Sequence, residues 1–195
     1  MKYDFIEIGT SNFDTLIEKA DNNVIGISIE PMKKYLDQLP NPTNVKKLNC
    51  AISFDGSEMP IDFYYVDLET INKLKLKKWL RGCNTSGNYH PMHIRYNLQE
   101  HVTIEKVNQR SLESIFNEYN VSEIDYLKID TEGGDCKIMK QLYHTSVRPK
   151  KIKFETNSLA DPDEVQTIVD MFNSIKYKAS YDNKAKRDTI LTLLD

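Results

Sequence analysis

Residues 3–53 read YDFIEIGTSNFDTLIEKADNNVIGISIEPMKKYLDQLPNPTNVKKLNCAIS, and this stretch decides the fold class. Its two hydrophobic periods alternate. Residues 3–8 (YDFIEI) are short, apolar and β-rich, while Phe13, Leu16, Ile17 and Ala20 recur at the spacing of one helix face. Residues 24–29 (VIGISI) read as a buried strand. A short helix begins at Pro31 and stops before Pro40, and 45–53 (VKKLNCAIS) reads as a third strand. A β-α-β-α-β run predicts parallel strands joined by crossovers.

The same alternation returns further along. Ser111 caps a helix carrying Leu112, Ile115, Phe116 and Tyr119, and 124–130 (IDYLKID) is a strand. A helix follows Gly133-Gly134 with Ile138, Met139 and Leu142 inward, and 151–155 (KIKFE) is the next strand. Asp161-Pro162-Asp163-Glu164 opens another helix, with Asp161 as N-cap and Glu164 completing a capping box. Residues 175–181 and 188–194 read as the last strands. The sum is an α/β protein with a doubly wound, mostly parallel sheet of seven strands and one domain over 1–195.

The middle breaks the pattern. Asp55-Gly56 is a turn signal before the apolar strand 61–66 (IDFYYV), so a hairpin with the third strand is expected. Residues 67–100 hold Trp79 and two of the histidines without a clear period, and read as an insertion that covers a substrate.

Composition bounds the function. At 39% hydrophobic and 28% charged residues, the chain has the makings of a packed core. A net charge of −3 argues against a generally nucleic-acid-binding surface. No apolar run approaches the roughly 20 residues of a membrane span, and the N-terminus lacks the longer apolar core of a secretory signal. Cys50, Cys83 and Cys136 are widely spaced and read as buried small side chains, without a disulfide framework or a zinc motif. A cytoplasmic location follows from that reading.

Ligands of open parallel sheets bind beyond the carboxyl ends of the strands, near the point where strand order reverses. Past strand one lie Gly9, Thr10, Ser11 and Asn12, where a glycine permits close approach and amides opening a helix present positive ends. Past strand two, Glu30 is placed to accept hydrogen bonds from ribose hydroxyls. Past strand three, Ala51, Ile52 and Ser53 suit a flat base. Asp130, Thr131 and Glu132 follow the fourth main strand, and Glu155, Thr156 and Asn157 the fifth. Ser11 occupies the second glycine of a G-x-G-x-x-G fingerprint, which disfavours a dinucleotide, and no phosphate-loop motif exists. Glu7 beside the turn suits a cationic ligand such as an ammonium or sulfonium, or is an acid at a strand end.

FIEIGT at 5–10, GISIEP at 26–31, NCAIS at 49–53 and IDYLKIDTEGGD at 124–135 together resemble the FkbM-type family of S-adenosylmethionine-dependent methyltransferases. LKIDTEG, with the Glu-Pro pair after strand two, is the most specific part. Phe13 stands where family members usually carry a second glycine. The resemblance implies the Rossmann-like fold of class I methyltransferases and S-adenosylmethionine as cofactor, held by Glu7, Gly9, Thr10, Ser11, Asn12, Glu30, Ala51, Ile52 and Asp130. It implies O-methylation of a hydroxyl on a sugar or other small molecule.

Asp130, Glu132 and Glu155 are the acids nearest the expected methyl. They can orient and deprotonate a hydroxyl, bind a hard divalent cation, or cap the next helix. No metal is assigned, because His90 and His93 have no third ligand beside them in sequence. His90 is taken as a further candidate base, with Tyr89, His93 and Asn157 as substrate contacts. Lys73, Lys75, Lys77, Lys78 and Arg81 form a solvated helix face or a patch for an acidic substrate. That patch keeps an RNA-directed methyltransferase open as an alternative, although nucleic acid is the less expected partner. A non-catalytic binding module is the other alternative.

Overall fold

The structure is a computed structural model that describes residues 1–181 and 188–194; residues 182–187 and 195, included in the one-domain reading, lie outside it. In chain order the regular elements begin with strand β1 (Lys2–Ile8), strand β2 (Gly26–Ile29), helix α1 (Lys33–Leu36), strand β3 (Val45–Leu48) and strand β4 (Ala51–Ile52). Next come strand β5 (Ile61–Tyr65), helix α2 (Leu68–Lys73), strand β6 (Thr85–Ser86), helix α3 (Pro91–Arg95), strand β7 (Thr103–Val107) and strand β8 (Gln109–Arg110). The remainder is helix α4 (Leu112–Glu118), strand β9 (Glu123–Ile129), helix α5 (Asp135–His144), strand β10 (Lys151–Glu155), helix α6 (Pro162–Asn173), strand β11 (Tyr177–Tyr181) and strand β12 (Asp188–Leu193).

The central sheet has seven strands in the order β11-β12-β10-β9-β1-β2-β3. Strands β3, β2, β1, β9 and β10 run parallel, while β12 runs antiparallel to both of its neighbours, β10 and β11. This mostly parallel sheet is consistent with a Rossmann-like fold. Strand order reverses between β1 and β9, because the chain builds outward to β3 and then returns to the other side of β1. Gly9 and Asp130 follow the two strands that flank this reversal.

Alternation in the strands separates two apolar clusters. Ile6, Ile8, Ile27, Ile29, Leu127 and Ile129 pack with the inward residues of α4, α5 and α6. Phe5 joins Ile17, Leu36, Leu39 and Val45 in the second, smaller cluster. Ser111 caps α4 by accepting from Ser114 N–H, and Asp161 caps α6 by accepting from Asp163 N–H. Glu164 departs from its capping-box role and instead accepts from Lys140 Nζ at 2.6 Å.

Three local readings are corrected. The helix expected after Ser11 shrinks to one 3-10 turn, Ile17–Lys19. Ser11 and Asp14 adopt left-handed backbone, and the amides of Ser11 and Leu16 go to the carboxylates of Glu30 and Glu7. Buried acceptors thus take the donors a helix would have used. The third strand stops at Leu48; the chain then turns at Asn49, whose amide donates to the carbonyls of Glu30 and Pro31, and Ala51–Ile52 pairs in parallel with β8. The hairpin across Asp55-Gly56 does not form, because β5 is the middle strand of an antiparallel sheet with β6 and β7.

Residues 67–100 are more ordered than their aperiodic sequence suggests. Val66, Ile71, Leu80, Cys83 and Leu98 form a small core of their own. All three cysteines are buried and free, as expected.

At the strand reversal the backbones crowd. Gly9 has φ +80°, and a Cβ there would lie 1.9 Å from the Asp130 carbonyl oxygen. Gly9→Ala must both strain the backbone and part β1 from β9. It is expected to lower unfolding free energy by more than about 2 kcal/mol, read from urea denaturation. A variant within about 0.5 kcal/mol of the parent would show that the turn relaxes freely.

Candidate active site

A cavity of about 760 Å³ opens beyond the carboxyl ends of β1, β2 and β9. Gly9, Thr10, Ser11 and Glu30 line one part of it, and Ala51 and Ile52 another. Asp130, Glu132 and Glu155 line it as well, so nine of the sequence candidates share one volume.

Glu30 is 3% exposed. Its Oε2 accepts from Ser11 N–H at 2.6 Å and its Oε1 from Met32 N–H at 2.9 Å. The Thr10 amide and hydroxyl also bond this carboxylate, so the loop donors share its lone pairs at the edge of the cavity. Burial pushes its pKa up to about 7 despite these bonds. Ser11 Oγ is buried without a partner, an unused hydroxyl on the same wall.

The acids past β9 and β10 repel one another. Burial pushes Asp130 up to about 7, with Asp135, Glu132 and Asp188 adding to the rise and Lys128 opposing it. Burial pushes Glu155 up to about 9, with Glu132, Asp130, Asp135 and Asp188 adding to it. Glu155 Oε1 accepts from Asn157 Nδ2, whereas its Oε2 is buried without a partner. Asp135 is otherwise engaged: its Oδ1 accepts from Thr131 N–H and its Oδ2 from Glu155 N–H, tying the start of α5 to both strand ends.

Other candidates stand elsewhere. Glu7 is fully buried beneath the first loop and does not line the cavity. Its Oε1 accepts from Lys128 Nζ at 2.9 Å and its Oε2 from Leu16 N–H at 2.9 Å. Asn12 braces the loop from outside, accepting from Arg81 Nε at 2.9 Å and donating to Gln38. Asn157 borders a smaller pocket of about 150 Å³ on the far side of Glu155. Tyr89 is exposed and stacks edge-on against Tyr64. His93 is fully buried, its Nδ1 accepting from His90 N–H, and burial draws its pKa down to about 4. It is a neutral packing group that reciprocates the cap of α3.

His90 sits behind Glu132, outside the cavity wall. Its Nδ1 accepts from Met92 N–H at 3.0 Å, so its Nε2 keeps the proton and donates to Glu132 Oε2 at 3.1 Å. The fold supplies the ligand partners that the sequence did not show beside the histidines, since donor atoms of Cys83, His90 and Glu132 lie within 4.8 Å of one another. Both nitrogens of the His90 imidazole are engaged by the protein, Nδ1 by Met92 N–H and Nε2 by Glu132. Burial and the acids also hold the Cys83 thiol well above its ordinary range, in its neutral form.

Sequence reasoning missed the aromatic side of the cavity, formed by Phe13, Phe54, Phe63 and Trp79. These residues come from four separate segments, so no local spacing marks them. Phe54 seats over Gly134, where a Cβ would lie 2.2 Å from its ring. Trp79, Gly82, Asn84 and Ser86 bring the 67–100 region onto the wall.

A mostly parallel sheet with a cavity at its strand reversal, an acid after β2 and small residues beside it has the form in which open α/β sheets take their ligands. The methyltransferase FkbM domain profile matches residues 7–180, and the chain belongs to this family of methyltransferases. S-adenosylmethionine is the usual cofactor of the family. No curated protein matches the chain closely enough to count as a relative. Among the described residues, no helix is long and apolar enough to cross a membrane.

Two results follow from the buried charges. Glu7→Gln leaves the Lys128 ammonium, whose side chain is 12% exposed, without its counter-charge. The expected loss is about 3–5 kcal/mol in urea denaturation, largely recovered when Lys128→Met is added. Glu155 binds its proton more tightly in the folded chain, at about 9 against an ordinary 4.5. Its stabilising contribution is therefore full at acid pH and is lost as pH rises between those values. Glu155→Gln should flatten that slope and raise stability at pH 8 by on the order of 1–3 kcal/mol. An unchanged pH profile would show that Glu155 ionises normally.

Proposed function

We propose that the cavity binds S-adenosylmethionine and that the chain transfers its methyl group to a hydroxyl of a sugar or other small molecule. The observation that carries this reading is the convergence, in one cavity, of the Gly9 loop, Glu30, Ala51 and Ile52, and the acids Asp130, Glu132 and Glu155. The donor set fits the cofactor. Glu30 lines the cavity as the acceptor for ribose hydroxyls, the unpartnered Ser11 Oγ can bond the amino-acid portion, and Ala51, Ile52 and Phe54 offer apolar surface to a base.

When bound, the cofactor supplies a methyl group on a positively charged sulfur. The chain's own residues do the rest. The backbone at Gly9 to Ser11 and the Glu30 carboxylate hold the ligand in place. Such positioning contributes at most about 7–11 kcal/mol to lowering a barrier. Asp130 accepts the proton of the acceptor hydroxyl; a carboxyl near 7 is matched to that task at neutral pH. Glu132, its Oε2 fixed by His90 Nε2–H, orients the hydroxyl. His90 is thus a positioning group rather than the base. The aromatic wall and the 79–86 segment exclude water.

Titration calorimetry with S-adenosylmethionine tests the reading. Glu30→Gln keeps the shape but weakens the acceptor, and is expected to lower affinity by about 10- to 100-fold. Asp130→Asn is expected to retain the melting temperature while lowering methyl transfer at saturating cofactor by at least about 100-fold. Absence of binding by the folded parent chain would sink the assignment.

A further inference from the structure

The cavity wall is short of positive charge. Asp14, Glu30, Asp55, Asp130, Glu132 and Glu155 contribute six carboxyl groups, against only Lys128 and Lys137 among the lining residues. Lys128 is committed to Glu7, with its Nζ also on the Asp14 carbonyl. Lys137 Nζ lies over the Phe54 ring, 5.0 Å from its centroid. Asp188, which adds to the repulsion on Asp130 and Glu155, is itself paired with Lys153 at 2.9 Å. Among the described residues, Lys128 offsets Asp130 only in part, no lysine is paired with Glu132 or Glu155, and Glu155 Oε2 has no hydrogen-bond partner.

This inference rests on the methyl-donor reading above. S-adenosylmethionine carries a sulfonium, an ammonium and a carboxylate, net +1. Methyl transfer breaks the S–CH3 bond and forms the O–CH3 bond. The electron pair returns to sulfur, and the hydroxyl proton passes to a carboxylate. The thioether product S-adenosylhomocysteine keeps the ammonium and carboxylate and is net neutral. We infer that the acidic wall made by Asp130, Glu132 and Glu155 selects the charged methyl donor over its neutral product, so that loss of the sulfonium charge itself favours product release.

The raised proton affinities of Asp130 and Glu155 agree with a site in which, among the described residues, acids outnumber cations. Among the described residues, the charged and titratable groups facing these acids are Lys128 on β9, Glu132 before α5, Asp135 and Lys137 on α5, Asp188 on β12, and Cys83 and His90 from the 67–100 region. A cation entering this field must lower those affinities and displace protons.

Calorimetry on the full chain with three probes decides it: S-adenosylmethionine, S-adenosylhomocysteine, and sinefungin, whose ammonium replaces the sulfonium. The donor and sinefungin are expected to bind about tenfold or more tighter than the product. The preference should increase from pH 6.5 to 8.5. Repeating the titrations in buffers of different ionisation enthalpy should show protons released with the two cationic ligands and fewer with the product. In the Asp130→Asn/Glu155→Gln variant, checked for folding by circular dichroism, the preference should fall toward unity. Equal or tighter binding of the product by the parent chain, with no difference in proton release, overturns the inference and leaves the methyl-donor reading standing. A preference unchanged in the folded variant overturns the assignment to these acids. Binding of none of the three overturns the methyl-donor reading and this inference with it.

Discussion

The buried ion pair between Glu7 and Lys128 sets the conditions for the rest of the molecule. It bridges β1 and β9, the two strands between which the sheet order reverses, and it does so with a carboxylate that has no exposed surface. An ion so placed must spend its remaining lone pairs on hydrogen bonds. Glu7 does this by capturing the Leu16 amide, and Glu30 captures the Ser11 amide from the next strand over. The two acids therefore shape the first loop from beneath. They replace the α-helix that its apolar spacing suggests, and they hold Thr10 and Ser11 against the cavity.

Elsewhere the same economy of charge is left incomplete. Lys128 is spent on Glu7, Lys153 on Asp188 and Lys140 on Glu164, while Asp130 and Glu155 face a shared space with no lysine of their own among the described residues. A protein that only needed stability would not leave such a group of acids together, since each raises the cost of ionising the others. Strain retained at one place in an otherwise well-paired fold is a mark of a working site.

The central architecture was legible because it is written in local periodicity. Buried parallel strands show as apolar runs such as VIGISI, and helix starts show in Ser111 and Asp161. Positions just past the strands were legible for the same reason, since fold geometry sends them to one place. What failed was set by distant partners. Glu7 looks in sequence like a site acid, and only its pairing with a lysine 121 residues away removes it from the wall. The 45–53 run looks like one strand, and only the 109–110 segment draws its end into another sheet. His90 resembles a base until Met92 N–H and Glu132 assign both its nitrogens.

Phe13 shows how a departure from the family pattern can be absorbed. A phenyl ring stands in the first loop, and the Lys78–Gly82 turn packs against it. The Arg81 guanidinium lies 4.3 Å from the Phe13 ring centroid and donates to Asn12. Gly82 leaves room for the same ring, since a Cβ there would lie 3.0 Å from it. Cation–π attraction and a hydrogen bond thus fasten the Lys78–Gly82 turn to the loop beside Ser11. That turn also carries Trp79, so the ring that narrows the glycine loop also anchors the aromatic wall facing it. The first loop and the aromatic wall of the cavity are therefore joined directly, through Phe13, Asn12 and Arg81.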